Sequence, residues 1–107
     1  MLFVMAYRAA VVGGSGYTGA ELLRLCAAHP EIEVVHVTAD SNAGAQIGEL
    51  YPSLRPAYGT QRYAPYSAGD LAGLDVVFCA LPHGSSQLLV GELLGRVGHV
   101  VDLGADF

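Results

Sequence analysis

The sequence predicts an α/β fold, a doubly wound, mainly parallel sheet, and three observations predict it. Short apolar runs bounded by turn residues alternate with stretches of helical periodicity. One of these runs, Val76 to Leu81, is apolar throughout, which suits a strand covered on both faces. The joint between the first strand and the first helix is a cluster of glycines, Gly13-Gly14-Ser15-Gly16-Tyr17-Thr18-Gly19.

The elements follow in order. Ala9 to Val12 is a short apolar run ending in glycines and reads as a buried strand. Thr18 to Ala28 has helical spacing, with Leu22, Leu25 and Cys26 on one face and Leu23 and Ala27 beside them. Thr18 with Glu21 resembles a capping box, although Gly16 is an alternative start. Pro30 stops this helix. Ile32 to Val37, rich in β-branched residues, is the second strand, and Val76 to Leu81 the third. Ser85 to Leu94 forms the next helix, with Leu88 and Leu89 a turn before Leu93 and Gly95 placed to cap its end. His99 to Asp102 is the last strand.

Between them, Ser41 to Gly73 holds Pro52, Pro56 and Pro65 and has little periodicity. A short helix is expected near Gln46–Tyr51, lying over a ligand crevice, and an edge strand near Gln61–Ala64. Sheets of this kind bind ligands at the carboxyl ends of their strands. That rule selects Gly13–Gly19, Thr38–Gly44 and Leu81–Ser86 as the functional places.

Composition narrows the function. The chain has 107 residues, 52% of them hydrophobic, enough for one small domain with a core. Its net charge is -5, and its five basic residues, all arginines, are scattered, so no nucleic-acid partner is expected. Cys26 and Cys79 lie far apart without metal-ligand spacing, which points to a reducing compartment rather than a disulfide or a metal site. No apolar run approaches the roughly 18 residues of a spanning helix, so no membrane association and a cytoplasmic location are expected.

The glycine turn carries the most specific local signal. In the pattern Gly14-x-Gly16-x-x-Gly19, the first glycine is expected to permit a tight turn and the second to let a pyrophosphate approach the backbone. The third lets the helix pack close to the strand. The helix start offers amides and the positive end of the dipole to phosphates, and the hydroxyls of Ser15 and Thr18 add donors. This is the fingerprint of a Rossmann-type dinucleotide-binding domain.

Asp40 stands at the end of the second strand, where a carboxylate holds a ribose 2′-hydroxyl and favours NAD. A carboxylate about 4 Å from a 2′-phosphate costs roughly 4 kcal/mol at an effective dielectric of 20. The next residues, Ser41-Asn42-Ala43-Gly44, offer polar side chains and loop amides that suit a 2′-phosphate, so both NAD and NADP stay open. Leu81-Pro82-His83-Gly84-Ser85-Ser86 presents His83 to the nicotinamide side of such a site, with a purely structural histidine as the alternative. Cys79 lies within an apolar strand and reads as an inert buried thiol.

Four ordered segments extend the argument: Gly13 to Leu22, Ser41 to Gly44, Ala80 to Gly84, and Asp102-Leu103-Gly104-Ala105-Asp106-Phe107. Together they resemble the N-acetyl-gamma-glutamyl-phosphate reductases of arginine biosynthesis over essentially the whole chain. Aspartate-semialdehyde dehydrogenases share the architecture but fit the leucine-proline-histidine-glycine segment less well. A lysine-pathway reductase of an aminoadipyl phosphate is a closer alternative. The resemblance implies NADP-dependent reduction of N-acetyl-gamma-glutamyl phosphate to the semialdehyde, through a cysteine thioester and with histidine assistance. It implies that Gly14, Ser15, Gly16, Tyr17, Thr18 and Gly19 hold the pyrophosphate. It also implies that Ser41 and Asn42 sit by the adenosine ribose, and that Leu81, Pro82 and His83 flank the nicotinamide. Asp40 departs from what an NADP enzyme is expected to carry there.

The same resemblance places the nucleophilic cysteine, in an asparagine-proline-glycine-cysteine segment, and the histidine beyond Phe107. Residues 1–107 are therefore expected to be the N-terminal cofactor part of a longer enzyme, without a catalytic residue and inactive alone. A small-molecule acyl phosphate is the expected substrate of the whole. A non-catalytic nucleotide-binding module is the alternative from another class. A half-sheet would also expose an unpaired edge, and assembly into a homo-oligomer is expected.

Overall fold

The computed structural model describes residues 6–81 and 85–103. Strand β1 (Tyr7–Val12) enters the glycine turn, and α1 (Tyr17–Ala27) leaves it toward β2 (Ile32–Thr38). Three single-turn helices follow, α2 (Ile47–Leu50), α3 (Arg55–Tyr58) and α4 (Ala68–Leu71), with a 3-10 turn at Pro52–Leu54. Then come β3 (Val76–Cys79), α5 (Ser85–Leu93) and β4 (His99–Asp102).

The four strands are all parallel in the order β2-β1-β3-β4. The chain first adds β2 on one side of β1 and then crosses to add β3 on the other. The order of strand addition therefore reverses at β1, and a crevice opens beyond the carboxyl ends of β1 and β3.

Alternation along the strands sorts side chains into two cores. On one face Ala10, Val12, Val77 and Cys79 pack against Leu71, Leu74 and Leu93, which brings α4 and α5 onto that side. On the other, Val11 and Val37 meet Leu23 of α1 together with Ile47, Leu54 and Tyr63. A register shift opposite Ala9 and Ala10 pairs Ala9 with Val34 but Ala10 with His36. The extra residue, Val35, packs on the α5 side, while Val34 and Val37 both reach the α1 side. Without that bulge the period of two would send one of them to the wrong face.

Several expectations need correcting. Helix α1 has Gly16 as its N-cap and no side-chain cap, so Thr18 and Glu21 form no capping box. Glu21 instead pairs with Arg24. The capping box lies at α2, between Gln46 and Glu49. The buried face of α1 runs through Gly19, Leu23 and Cys26, leaving Leu25 exposed. The close approach of Gly19 to the turn rotates the helix onto that line.

Helix α2 does not cover the crevice. Ile47 is fully buried among Leu23, Val37 and Tyr63, so α2 lies beside α1. The 61–64 segment reaches the expected edge, where the Ala64 N–H donates to the Val37 carbonyl (2.9 Å) and the Ala64 carbonyl accepts from the Ala39 N–H (3.0 Å). It makes only isolated bridges, Ala64 to Thr38 and Arg62 to Gln46, so the expected edge strand is reduced to single pairings.

Candidate functional site

The glycine turn is stitched to the ends of β2 and β3. The Gly14 N–H donates to the Thr38 carbonyl at 2.8 Å, and the Gly13 N–H to Thr38 Oγ1 at 3.3 Å. The Ala80 N–H donates to the Val12 carbonyl at 2.8 Å, which holds the loop after β3 against the same turn. Thr38, with 1% of its surface exposed, is a buried polar residue of the core, and its hydroxyl oxygen accepts from the Gly13 N–H.

The glycines divide the work differently from the sequence expectation. Gly13, not Gly14, takes the left-handed backbone conformation, with φ at +79°. A Cβ there would also lie 2.8 Å from Leu81 Cδ2. Gly14 is needed for space, since a Cβ would stand 2.3 Å from Val37 Cγ1. Gly19 lets α1 approach the strand, because a Cβ would fall 2.5 Å from Gly14 Cα and 2.6 Å from the Gly13 carbonyl oxygen. At Gly16 a Cβ would meet nothing within 4 Å. The turn is thus closed on its inner side and open at Gly16, where the uncapped start of α1 leaves first-turn amides without helical partners. This cradle fits a phosphate group: open backbone, free N–H donors and the positive helix end.

A crevice of about 380 Å³ connects the three places that the strand-end rule selects. Gly13 contributes from the turn, Thr38, Ala39 and Asp40 from the end of β2, and Leu81 from the loop after β3, with Tyr66 as a further wall. Asp40 and Ser41 are exposed and Asn42 is half-buried. The residues 40–45 form a turn held by the Ala43 N–H on the Asp40 carbonyl (3.2 Å) and the Ala45 N–H on the Asn42 carbonyl (3.1 Å). Ser15 in the glycine turn is half-buried, and Tyr17 and Thr18 at the start of α1 are exposed; none of the three lines this crevice. Pro82 and His83 lie outside the described residues. A larger crevice, about 620 Å³, involves Tyr7, Ile32, Val76 and His99. These residues open their strands, so it lies away from the carboxyl ends where such sheets bind ligands.

Two functional candidates escape sequence reasoning. Tyr51, at the end of α2, donates its hydroxyl to the Ser15 carbonyl at 2.7 Å. Arg62 donates to the Gly44 carbonyl at 2.6 Å, which brings a cation to the loop after Asp40. Neither has a local motif, and each reaches its place through a contact distant in sequence. Tyr63, 1% exposed, lies in the same core, and its hydroxyl has no partner among the described residues. Burial, and then neighbouring Tyr51, push that hydroxyl up to about 12.

The cysteines behave as expected of inert thiols. Cys79 is fully buried, and burial, followed by the Asp102 charge, pushes its thiol up to about 11. Burial also raises Cys26. Among the described residues no group of three or more His, Cys, Asp or Glu is placed to hold a metal ion. No described helix is long and apolar enough to cross a membrane.

Comparison with known proteins agrees with this geometry. In fold, the chain is similar to an aspartate semialdehyde dehydrogenase from Candida albicans, solved with NADP: the TM-score is 0.77 at 21% identity, covering 94% of this chain and 30% of that one. In sequence, it is 47% identical over 97 residues to the N-acetyl-gamma-glutamyl-phosphate reductase of Azotobacter vinelandii. It is 50% identical to the protein of that name from Pseudomonas savastanoi pv. phaseolicola. The match covers 91% of this chain and 28% of each of those two relatives. The family model described as semialdehyde dehydrogenase, NAD binding domain, matches residues 8–107. With nearly the whole chain matched, and the glycine cradle and parallel sheet in place, the chain belongs to the family of semialdehyde dehydrogenase NAD-binding domains.

Proposed function

We propose that this chain binds NADP as the cofactor part of an N-acetyl-gamma-glutamyl-phosphate reductase. The whole protein then reduces the acyl phosphate to N-acetylglutamate semialdehyde and releases phosphate. The observation that carries the reading is the cradle: Gly13, Gly14 and Gly19 are closed by packing, while Gly16 stands open at the uncapped start of α1. The relatives' shared name supplies the substrate.

In this reading Gly14 to Gly19, with the hydroxyls of Ser15 and Thr18, hold the pyrophosphate. Ser41 and Asn42 border the adenosine ribose, and Leu81, Pro82 and His83 flank the nicotinamide. Bound NADPH supplies hydride. The chain's own residues bind and orient the cofactor; no catalytic residue is assigned to them. In this reading residues 1–107 belong to the cofactor domain, and substrate capture belongs to the rest of the protein. The two free thiols suit a reducing, cytoplasmic setting.

Arg62 favours NADP over NAD. Its guanidinium reaches the Ser41–Gly44 loop, where the added 2′-phosphate would lie. Asp40 is exposed, so water screens its repulsion of that phosphate. The test is a titration of the protein with NADP+ and NAD+, beside Arg62→Ala and Asp40→Ser. NADP+ is expected to bind at least as tightly as NAD+. Arg62→Ala is expected to weaken NADP+ by about tenfold and leave NAD+ nearly unchanged. Tighter binding of NAD+, improved towards NADP+ by Asp40→Ser, would reverse the cofactor assignment.

A further inference from the structure

Tyr51 is not among the described residues that line the crevice, yet its hydroxyl donates to the Ser15 carbonyl, inside the glycine turn, from 36 residues away in sequence. The C=O of Ser15 and the N–H of Gly16 belong to one peptide plane. In a trans peptide these two groups point in opposite directions. Among the described residues no peptide bond is cis. A hydroxyl that holds the carbonyl on the α2 side therefore turns the Gly16 N–H away from α2. Gly16 is exposed, and a Cβ there would meet nothing within 4 Å, so the amide belongs to the open part of the cradle.

Left alone, a glycine-flanked peptide is free to flip, since Gly16 populates both signs of φ at little cost. Flipping would present the carbonyl oxygen, with its partial negative charge, to the place a pyrophosphate occupies. We propose that Tyr51 is a positioning residue for dinucleotide binding: its hydroxyl locks the Ser15–Gly16 peptide with the N–H outward, so that the amide donor is in place before the pyrophosphate arrives. The proposal rests on the cofactor reading above and adds a residue outside the glycine motif to it.

The packing of the segment supports a dedicated role. Tyr51 ends α2, whose Ile47 is fully buried against Leu23 and Val37. Its backbone N–H is held by the Ile47 carbonyl at 2.9 Å. The base of the side chain is thus fixed, and the hydroxyl is half-buried rather than left to wander in water. Preorganisation of this kind improves affinity by removing an ordering cost at the moment of binding. A second tyrosine of the segment, Tyr58, donates to the Leu23 carbonyl within α1. It anchors the helix without touching the turn, and it serves as the control.

The experiment compares the parent protein with Tyr51→Phe and Tyr58→Phe. Each is titrated with NADP+ and NAD+, which carry a pyrophosphate, and with adenosine 2′-monophosphate, which does not; thermal melting reads stability. Tyr51→Phe is expected to weaken both dinucleotides about 3- to 10-fold and to leave the monophosphate within twofold of the parent. Tyr58→Phe is expected to lower the melting temperature comparably and to change no affinity. Unchanged dinucleotide affinity in Tyr51→Phe overturns the proposal. So does equal weakening of the monophosphate, or the same loss in Tyr58→Phe. If the parent itself binds neither dinucleotide, the cofactor reading falls and takes this inference with it.

Discussion

Four glycines within seven residues do different jobs, and substitution separates them. Gly19 is closed by backbone, with Gly14 Cα 2.5 Å and the Gly13 carbonyl oxygen 2.6 Å from a would-be Cβ. Backbone cannot swing aside as a side chain can. Gly19→Ala is therefore expected to cost at least about 3 kcal/mol in urea unfolding, the upper end of overpacking. Gly16 faces open space in an extended conformation, φ −82° and ψ 176°, that alanine adopts freely. Gly16→Ala should keep the fold to within about 1 kcal/mol, the loss of a favourable N-cap residue. In the proposed reading the added methyl would stand where a pyrophosphate approaches. About tenfold weaker NADP+ binding, read by fluorescence titration, is expected from a protein that unfolds almost normally. Full affinity in Gly16→Ala would remove Gly16 from the cofactor site.

At the scale of elements, the site depends on the seam between β2 and the turn after β1. Thr38 closes β2, and its buried hydroxyl accepts from the Gly13 N–H, while its carbonyl accepts from Gly14. Thr38→Val keeps the shape and removes the acceptor, leaving the Gly13 N–H unsatisfied. A loss of about 1–3 kcal/mol in chemical denaturation is expected. Hydrogen exchange at Gly13 should quicken more than at Val11, because the break is local. The sequence signals β2 by its β-branched residues but is silent on its bulge. Val34, Val35 and Val37 are equally apolar, and only the pairing of Ala9 with Val34 and Ala10 with His36 decides which of them face α1. The α1 face is misjudged for a related reason: Leu22, Leu25 and Cys26 form a good stripe by composition, but contact with Gly13 and Gly14 selects Gly19, Leu23 and Cys26.

The molecule as a whole buries groups that ionise only at alkaline pH. Burial pushes Cys79 from 9.0 to about 11, and Tyr58 and Tyr63 from 10.0 to about 12. In the unfolded chain these groups lose their protons at the lower values, so there the unfolded state binds fewer protons than the native one. Their contribution to stability is complete below about pH 9 and declines as the pH rises towards 11 and 12. The urea midpoint is expected to hold steady around neutral pH and fall above about pH 9. Cys79→Ser should delay little of that fall if the tyrosines dominate, and a flat profile to pH 11 would refute the burial argument. At neutral pH a thiol reagent should label neither cysteine until denaturant is added, since both are buried and protonated.

The sequence by itself determined the four main strands with α1 and α5, the parallel sheet, the glycine turn and the resemblance to acyl-phosphate reductases, but not α3 or α4. These rest on periodicity and turn chemistry among residues a few positions apart, which a linear reading captures. Tertiary structure alone decided that Gly13 takes the left-handed conformation, that α2 lies beside α1, that Tyr51 reaches the glycine turn and that Arg62 reaches the loop after Asp40. Each depends on a contact between distant parts of the chain: Gly13 with Thr38, 25 residues apart; Ser15 with Tyr51, 36 apart; Gly44 with Arg62, 18 apart. Such contacts exist only once both partners are packed, so no local pattern encodes them.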